Sequence, residues 1–236
     1  MKYIGSKSRI AKELIEIIKP YNYNYYIEPF VGGANMIDKV NCETRVGFDS
    51  NKYLIALLNQ LKTDWKPPYI SREEYEHIRL NKNSYPDYMV GYAGFAVSYC
   101  GKWFGGYAGR TITKNLTKRD YQEEAIRNLE KQREGIRSVK FFQRDFSNIP
   151  DFPSNSVVYC DPPYAESTKY KDKFDSVKFW NWVRERSIKT KIFVSEYSAP
   201  EDFEIVWEKQ VSSSLSSNGI SGENKISVEK LFVWRG

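Results

Sequence analysis

Histidine is nearly missing from this 236-residue chain: His77 is the sole one, inside the charged helical stretch SREEYEHIRL. Imidazole catalysis or a histidine-ligated metal therefore has a single candidate, and its setting reads as the solvent face of a helix. Cysteine is scarce as well. Cys42, Cys100 and Cys160 form no Cys-x-x-Cys pair, and their odd number and wide spacing argue against a disulfide framework and a zinc site. No run of 18 apolar residues occurs, so no membrane-spanning helix is expected. The opening MKYIGSKSRI carries no apolar signal segment. These absences point to a soluble cytoplasmic protein with neither a metal nor a membrane partner.

One absence is local. From Tyr88 to Arg119 there is no acidic residue, although the chain as a whole balances 36 Lys and Arg against 30 Asp and Glu, a net +6. That tract holds Lys102, Arg110, Lys114, Lys118 and Arg119, interleaved with Tyr88, Tyr92, Phe95, Tyr99, Trp103, Phe104 and Tyr107. Cations for phosphate and rings for stacking are the footprint of nucleic-acid contact. An apolar core segment followed by a solvated basic loop would give the same composition. Aromatics make up 16% of the chain and hydrophobic residues 41%, enough for a sizeable core.

The order of elements sets the fold class. Ser6 is placed to cap a helix over about 7–19 that Pro20 ends. YNYNYYIEPF reads as a strand reaching Glu28, and FVGGANMIDKV as a turn through Gly32 and Gly33 into a second helix. TRVGFD is a strand ending at Asp49, and NKYLIALLNQLK an amphipathic helix. This alternation builds a doubly wound α/β sheet. It lapses between Trp65 and about Gly135, where helical and loop signals appear without a buried strand run. SVKFFQRDF, SVVYC and KIFVSEY then resume the strands, and FEIVWEKQ with VEKLFVWR closes the sheet with an antiparallel member. The expected organisation is one α/β domain of residues 1–60 and 136–236, interrupted by a mostly helical insert over 61–135. Ser212 to Gly222 is a low-complexity loop.

Four strands run out at carboxylates: Glu28, Asp49, Asp145 and Asp161. Open α/β sheets bind ligands beyond the carboxyl ends of their strands. An acidic rim there suits hydroxyl and amine donors or a cation, and does not suit phosphate. EPFVGGAN lacks the full Gly-x-Gly-x-x-Gly pattern and the P-loop lysine. Asp49 stands where an acid accepts from ribose hydroxyls in dinucleotide folds. S-adenosyl-L-methionine meets all of these conditions: an adenosine, no phosphate, a sulfonium and an ammonium.

The stretch VVYCDPPY stops an apolar run on a carboxylate and two prolines. An exocyclic amine on adenine or cytosine is a poor nucleophile, because its lone pair is delocalised into the ring. Acceptors on its two hydrogens draw it towards a tetrahedral geometry. The Asp161 carboxylate is one acceptor and the Pro162 carbonyl the other, in a turn stiffened by Pro162 and Pro163, while Tyr164 offers a ring for stacking the base. The remaining requirement is in-line placement and electrostatic complementarity rather than a strong base.

With these motifs in this order, the sequence resembles DNA adenine-N6 methyltransferases of the Dam type, the D12 class, alpha group, nearest to its phage-borne branch. KYIGSKSRI is similar to the N-terminal cofactor motif, YIEPFVGGANM to the glycine motif and VGFDSNKYLI to the ribose-binding segment. QRDF and CDPPY match the later cofactor and catalytic motifs. The resemblance spans nearly the whole chain, the target-recognition insert included. It implies a Rossmann-like S-adenosylmethionine-dependent methyltransferase sheet, with Asp161, Pro162, Pro163 and Tyr164 catalytic. It implies a cofactor site of Tyr3, Lys7, Glu28, Phe30, Gly32, Asp49, Asp145, Phe146, Asp161 and Tyr170, and S-adenosyl-L-homocysteine as product. Better-known members read GATC through an insert with an Asn-Gly and Arg pattern. The corresponding SYCGKWFGGYAGR matches only at glycine and Arg110, so the recognition sequence does not carry over.

The implied partner is double-stranded DNA, with no obligate protein partner. A target base inside a duplex must be swung out, at a cost on the order of a few kcal/mol. Trp103, Phe104 or Tyr107 is placed to fill the gap, and Arg110 or Lys102 to read guanine in the major groove. Three other readings compete. Cytosine-N4 methylation uses the same chemistry, usually with serine in place of Asp161. Some ribosomal RNA guanine methyltransferases carry Asp-Pro-Pro and an aromatic, but lack KYIGSK and the insert. A non-catalytic DNA-binding decoy would be expected to show a damaged motif, and none is visible.

Overall fold

The computed structural model describes residues 1–112, 116–163, 174–213 and 225–236. Seven strands form one sheet: β1 Tyr25–Glu28, β2 Thr44–Asp49, β5 Lys140–Gln143, β6 Ser156–Cys160, β7 Lys191–Glu196, β8 Phe203–Ser213 and β9 Lys225–Trp234. Their order is β5-β2-β1-β6-β7-β9-β8. The first five run parallel, and β9 lies antiparallel to both β7 and β8. The expected α/β class and the antiparallel closing pair are both present. β1 and β6 sit side by side at the centre, so Glu28 and Asp161 emerge together from the middle of the carboxyl edge.

The central strands β1, β6 and β7 are apolar on both faces because both are covered, as parallel sheets require. Alternate residues of β6 divide between two cores. Val157 and Tyr159 face a cluster that holds Leu14 and Ile18 of α1 (Ala11–Ile18) and Leu54, Leu57, Leu58 and Leu61 of α2 (Lys52–Leu61). Val158 and Cys160 face the other, with Phe179, Trp182 and Val183 of α6 (Ser176–Ser187). Helix starts follow local chemistry: Asn51 accepts from Tyr53 and Leu54 N–H at 3.0 and 3.1 Å, and Asp175 from Lys178 N–H at 2.9 Å.

Residues 61–135 contain α3 (Arg72–Leu80), α4 (Asp87–Gly91) continuing as a π-helical turn over Tyr92–Ala96, a hairpin of β3 (Arg110–Ile112) and β4 (Lys118–Asp120), and most of α5 (Tyr121–Ile136). The hairpin is largely exposed. The helices pack Tyr75, Ile78, Val90, Tyr92 and Leu129, and the segment before α3 packs Ile70, into the same cluster as α1 and α2. Among the described residues, no helix is long and apolar enough to cross a membrane.

Two expected helices take another form. The first begins at Ala11, not Lys7, and its cap position, Ile10, supplies no side-chain bond. Ser6 accepts from Ser8 N–H at 3.3 Å. Lys7, ahead of the helix, places its ammonium in a buried ion pair with Asp161 and Glu229. The second helix, after Gly33, is absent. Ala34 sits at φ 54, a left-handed geometry no α-helix accommodates. The Gly33 and Ala34 carbonyls accept from Gln132 Nε2 at 2.9 and 3.0 Å instead of from helical N–H groups, leaving one short 3-10 turn over Ile37–Lys39.

α4 approaches α2 through Gly91, where a Cβ would stand 2.1 Å from the Tyr53 carbonyl and 3.1 Å from Leu57 Cβ. Gly91→Ala is therefore expected to lower stability by about 1–3 kcal/mol, read as a lower urea midpoint with an unchanged m-value. A midpoint equal to wild type would refute this close helix approach.

Candidate active site

The carboxyl edge of the sheet carries buried charge. Lys7, 4% exposed at its side chain, places Nζ 3.2 Å from Asp161 Oδ1 and 3.2 Å from Glu229 Oε2. Asp161 follows the fully buried β6, and the buried Pro162 follows it in turn. Burial works to lower the pKa of Lys7, yet the attraction of Asp161 and Glu229 outweighs it and leaves it raised. Burial pushes Asp161 up to about 6, against the pull of Lys7. Tyr164 and Tyr170 lie outside the described residues.

Around this pair stand the other strand ends. Glu28 is buried. Burial raises its pKa well above the usual range, the Tyr26 hydroxyl beside it opposes this, and Asp38 and Asp161 add to the rise. Asp49 is pushed up to about 6 by burial, although Asn51 N–H (2.9 Å) and Gly32 N–H (3.2 Å) stabilise its charge. A carboxylate accepts about four hydrogen bonds, so Asp49 keeps capacity for hydroxyl donors.

Gly32 lies at φ 48, and a Cβ there would meet the Tyr3 ring at 2.9 Å; Tyr3 packs along the glycine loop and stands 5.5 Å from the Phe95 ring. Phe30 and Phe146 come together at 5.5 Å, with Phe174 and Phe179 beside both. Asp145 is exposed, two residues past the end of β5, where it accepts from Ser147 N–H at 3.0 Å and Ser147 Oγ at 2.6 Å. The edge thus joins acceptor carboxylates, an apolar aromatic wall and a Gly turn, a donor-poor set fitted to a cationic nucleoside rather than to phosphate.

The four residues expected to face DNA split in two. Lys102 is exposed, and Arg110 is 79% exposed at its side chain, held by Asp120 at 2.9 Å and lying over the Tyr69 ring at 5.4 Å. Trp103 is half-buried among Tyr53, Phe95 and Phe104, at 5.4, 4.7 and 4.7 Å. Tyr107 donates to the Ile70 carbonyl at 2.9 Å. The last two are fixed by packing.

Two carboxylates belong to the site without having been singled out in the sequence. Glu196 ends β7 beside β6 and is pushed up to about 7 by burial, with Asp161 and Glu229 adding to the effect. It shows the same signal as the other strand ends, an acid closing the apolar run KIFVSEY. Glu229 sits inside β9 and gives no such signal. Gln132 breaks the apolar stripe Ala125, Leu129, Ile136 of α5, a legible mark of a buried polar role. Asp49, Asp161 and Glu196 bind protons more tightly folded than unfolded, so their contribution to stability falls as pH rises from about 4 to 7. Glu196→Gln is expected to stabilise at pH 8 by on the order of 1–3 kcal/mol and by progressively less towards pH 5. Thermal melts at both pH values check this; a gain independent of pH would contradict it.

Comparison with known proteins matches residues 3–93 and 90–232 to the D12 class N6 adenine-specific DNA methyltransferase family. Type II methyltransferase M.FokI of Planomicrobium okeanokoites is 22% identical over 208 residues, covering 78% of this chain and 32% of that protein. DNA adenine methylase of Vibrio cholerae is 27% identical over 184 residues, covering 70% and 64%. The chain thus spans about a third to two thirds of the length of these relatives. Among solved structures, the rRNA methyltransferase AviRa of Streptomyces viridochromogenes aligns at 12% identity and TM-score 0.46, covering 99% of this chain and 86% of that one. The family match extends over both the sheet and the segment between its halves, and the chain belongs to the D12 class N6 adenine-specific DNA methyltransferase family.

Proposed function

We propose that this protein methylates N6 of adenine in duplex DNA, with S-adenosyl-L-methionine as methyl donor and S-adenosyl-L-homocysteine as product. The observation that carries the reading is Asp161 at the tip of the buried central strand, followed by Pro162 and paired with a buried lysine. The finer assignment to the alpha group is supported by motif order, glycine loop, insert, then Asp161; the phage-borne branch and the cytoplasm of a bacterial or phage-infected cell are what the resemblance implies.

Bound S-adenosyl-L-methionine supplies a methyl group on positively charged sulfur. The Asp161 carboxylate and the Pro162 carbonyl accept hydrogen bonds from the two N–H groups of the target amine and turn its lone pair towards that methyl; as the N–C bond forms and the C–S bond breaks, the surplus N6 proton is released to solvent. Net negative charge from Asp161 and Glu229 against Lys7 favours a cationic ligand before transfer. Asp49 accepts from the ribose hydroxyls, and Phe30 and Phe146 present an apolar wall for the adenine ring. Residues 61–135, with the exposed Lys102 and Arg110, face the DNA; Arg110 is pre-oriented by Asp120. Tyr164 and Tyr170 retain the stacking and pocket-closing roles implied by the resemblance.

Asp161→Asn is expected to lower kcat by about 10²- to 10³-fold with an unchanged circular dichroism spectrum. In the wild type, turnover should fall as pH drops through about 6, where Asp161 takes up its proton. Labelled methyl transfer to unmethylated genomic DNA measures both, and wild-type turnover by the variant would reject the assignment. Arg110→Ala is expected to relax or abolish choice of site while leaving the fold intact. Sequencing of methylated positions tests this, and an unchanged site map would remove Arg110 from recognition.

A further inference from the structure

We propose that Glu229 is a positioning residue: through Lys7 it holds the Asp161 carboxylate in place, and its own negative charge leaves the trio net negative towards a cationic methyl donor. The proposal rests on the reading that Asp161 accepts the target amine.

The geometry is a three-member bridge. Lys7 Nζ is equidistant, at 3.2 Å, from Asp161 on the loop after β6 and from Glu229 on β9. Lys7 is nearly inaccessible and Glu229 is 11% exposed at its side chain. An ammonium bonded to one carboxylate in such a place would make a neutral pair. A second carboxylate makes the trio net −1, which one sulfonium brings to zero. With two carboxylate acceptors, one on the loop after β6 and one on β9, Lys7 is held between them, so the Asp161 oxygen that bonds Lys7 is fixed.

The two partners act on Asp161 with opposite sign. Lys7 favours the carboxylate, whereas Glu229 disfavours it by like-charge repulsion. Among the described residues, the other ionisable groups that feel Asp161 are Glu196 from β7, Glu28 from β1, and Tyr159 and Cys160 from β6 itself. None of these shares the 3.2 Å contact with Lys7. A purely structural role for Glu229 would leave the titration of Asp161 where it is, so the sign of the shift discriminates.

The test uses the full chain. Asp161 is titrated by carboxyl 13C NMR in the unliganded protein, and the acid limb of kcat/KM is followed with S-adenosyl-L-methionine and unmethylated genomic DNA. Glu229→Gln is expected to move the Asp161 titration down by about one pH unit and to raise KM for S-adenosyl-L-methionine, whereas Glu229→Asp keeps the wild-type titration. A titration that stays or rises in the Gln variant overturns the proposal. Should Glu229→Gln fail to fold, K7Q and K7Q/E229Q carry the same test. K7Q moves the titration up, and the double variant must lie below K7Q; equal values for the two overturn the role of Glu229. If the NMR titration moves as expected while the limb of kcat/KM does not follow, the charge network stands and the assignment of Asp161 to the amine falls instead.

Discussion

One lysine holds the working edge of this sheet together. Lys7 reaches across 154 residues of sequence to Asp161 and 222 to Glu229, and its ammonium is almost wholly out of water. An isolated ammonium in such a place is strongly disfavoured, and removing one partner of a buried pair costs about 3–5 kcal/mol. The N-terminal segment therefore lies across the carboxyl edge rather than continuing α1 by another turn. Tyr3 follows from the same course, packed along Gly32 and Gly33. The position of the glycine loop, the lysine and the strand tip is thus one constraint, not three.

The surrounding acids show what that constraint opposes. Glu28, Asp49, Asp161 and Glu196 all have pKa values raised chiefly by burial. Each sits where a folding protein would be more stable with an amide or an apolar group. Local departures from stability that gather at one edge are the usual physical mark of a functional site.

The alternation of strands and helices, the lapse after Trp65 and the antiparallel close were legible because each element carries its own periodicity. Glu28, Asp49 and Asp161 were legible because an acid that ends an apolar run is visible from the sequence alone. Asp145 shows the limit of that signal: it also follows an apolar run, yet it is exposed and caps a 3-10 turn. The helix expected after Gly33 failed because the bond that forbids it comes from Gln132, almost one hundred residues away. Glu229 stayed hidden for the same reason. Its neighbours in sequence describe an ordinary strand, and only the long-range contact with Lys7 gives it meaning.

The same long-range logic joins the two halves of the site through α5. Asp120 caps this helix, accepting from Gln122 and Glu123 N–H, and its other oxygen holds Arg110. Twelve residues further on, about 18 Å along the axis, Gln132 bonds the carbonyls of the glycine loop. The exposed hairpin proposed to face DNA and the loop proposed to face the cofactor are therefore fastened at two points of one helix. That helix buries Ala125, Leu129 and Ile136 in the core shared with α1 and α2, so neither end shifts without repacking it. A rigid separation between the recognition side chain and the reaction centre is what in-line transfer to a flipped base requires, since an error of about 1 Å in placement costs on the order of a hundredfold in rate.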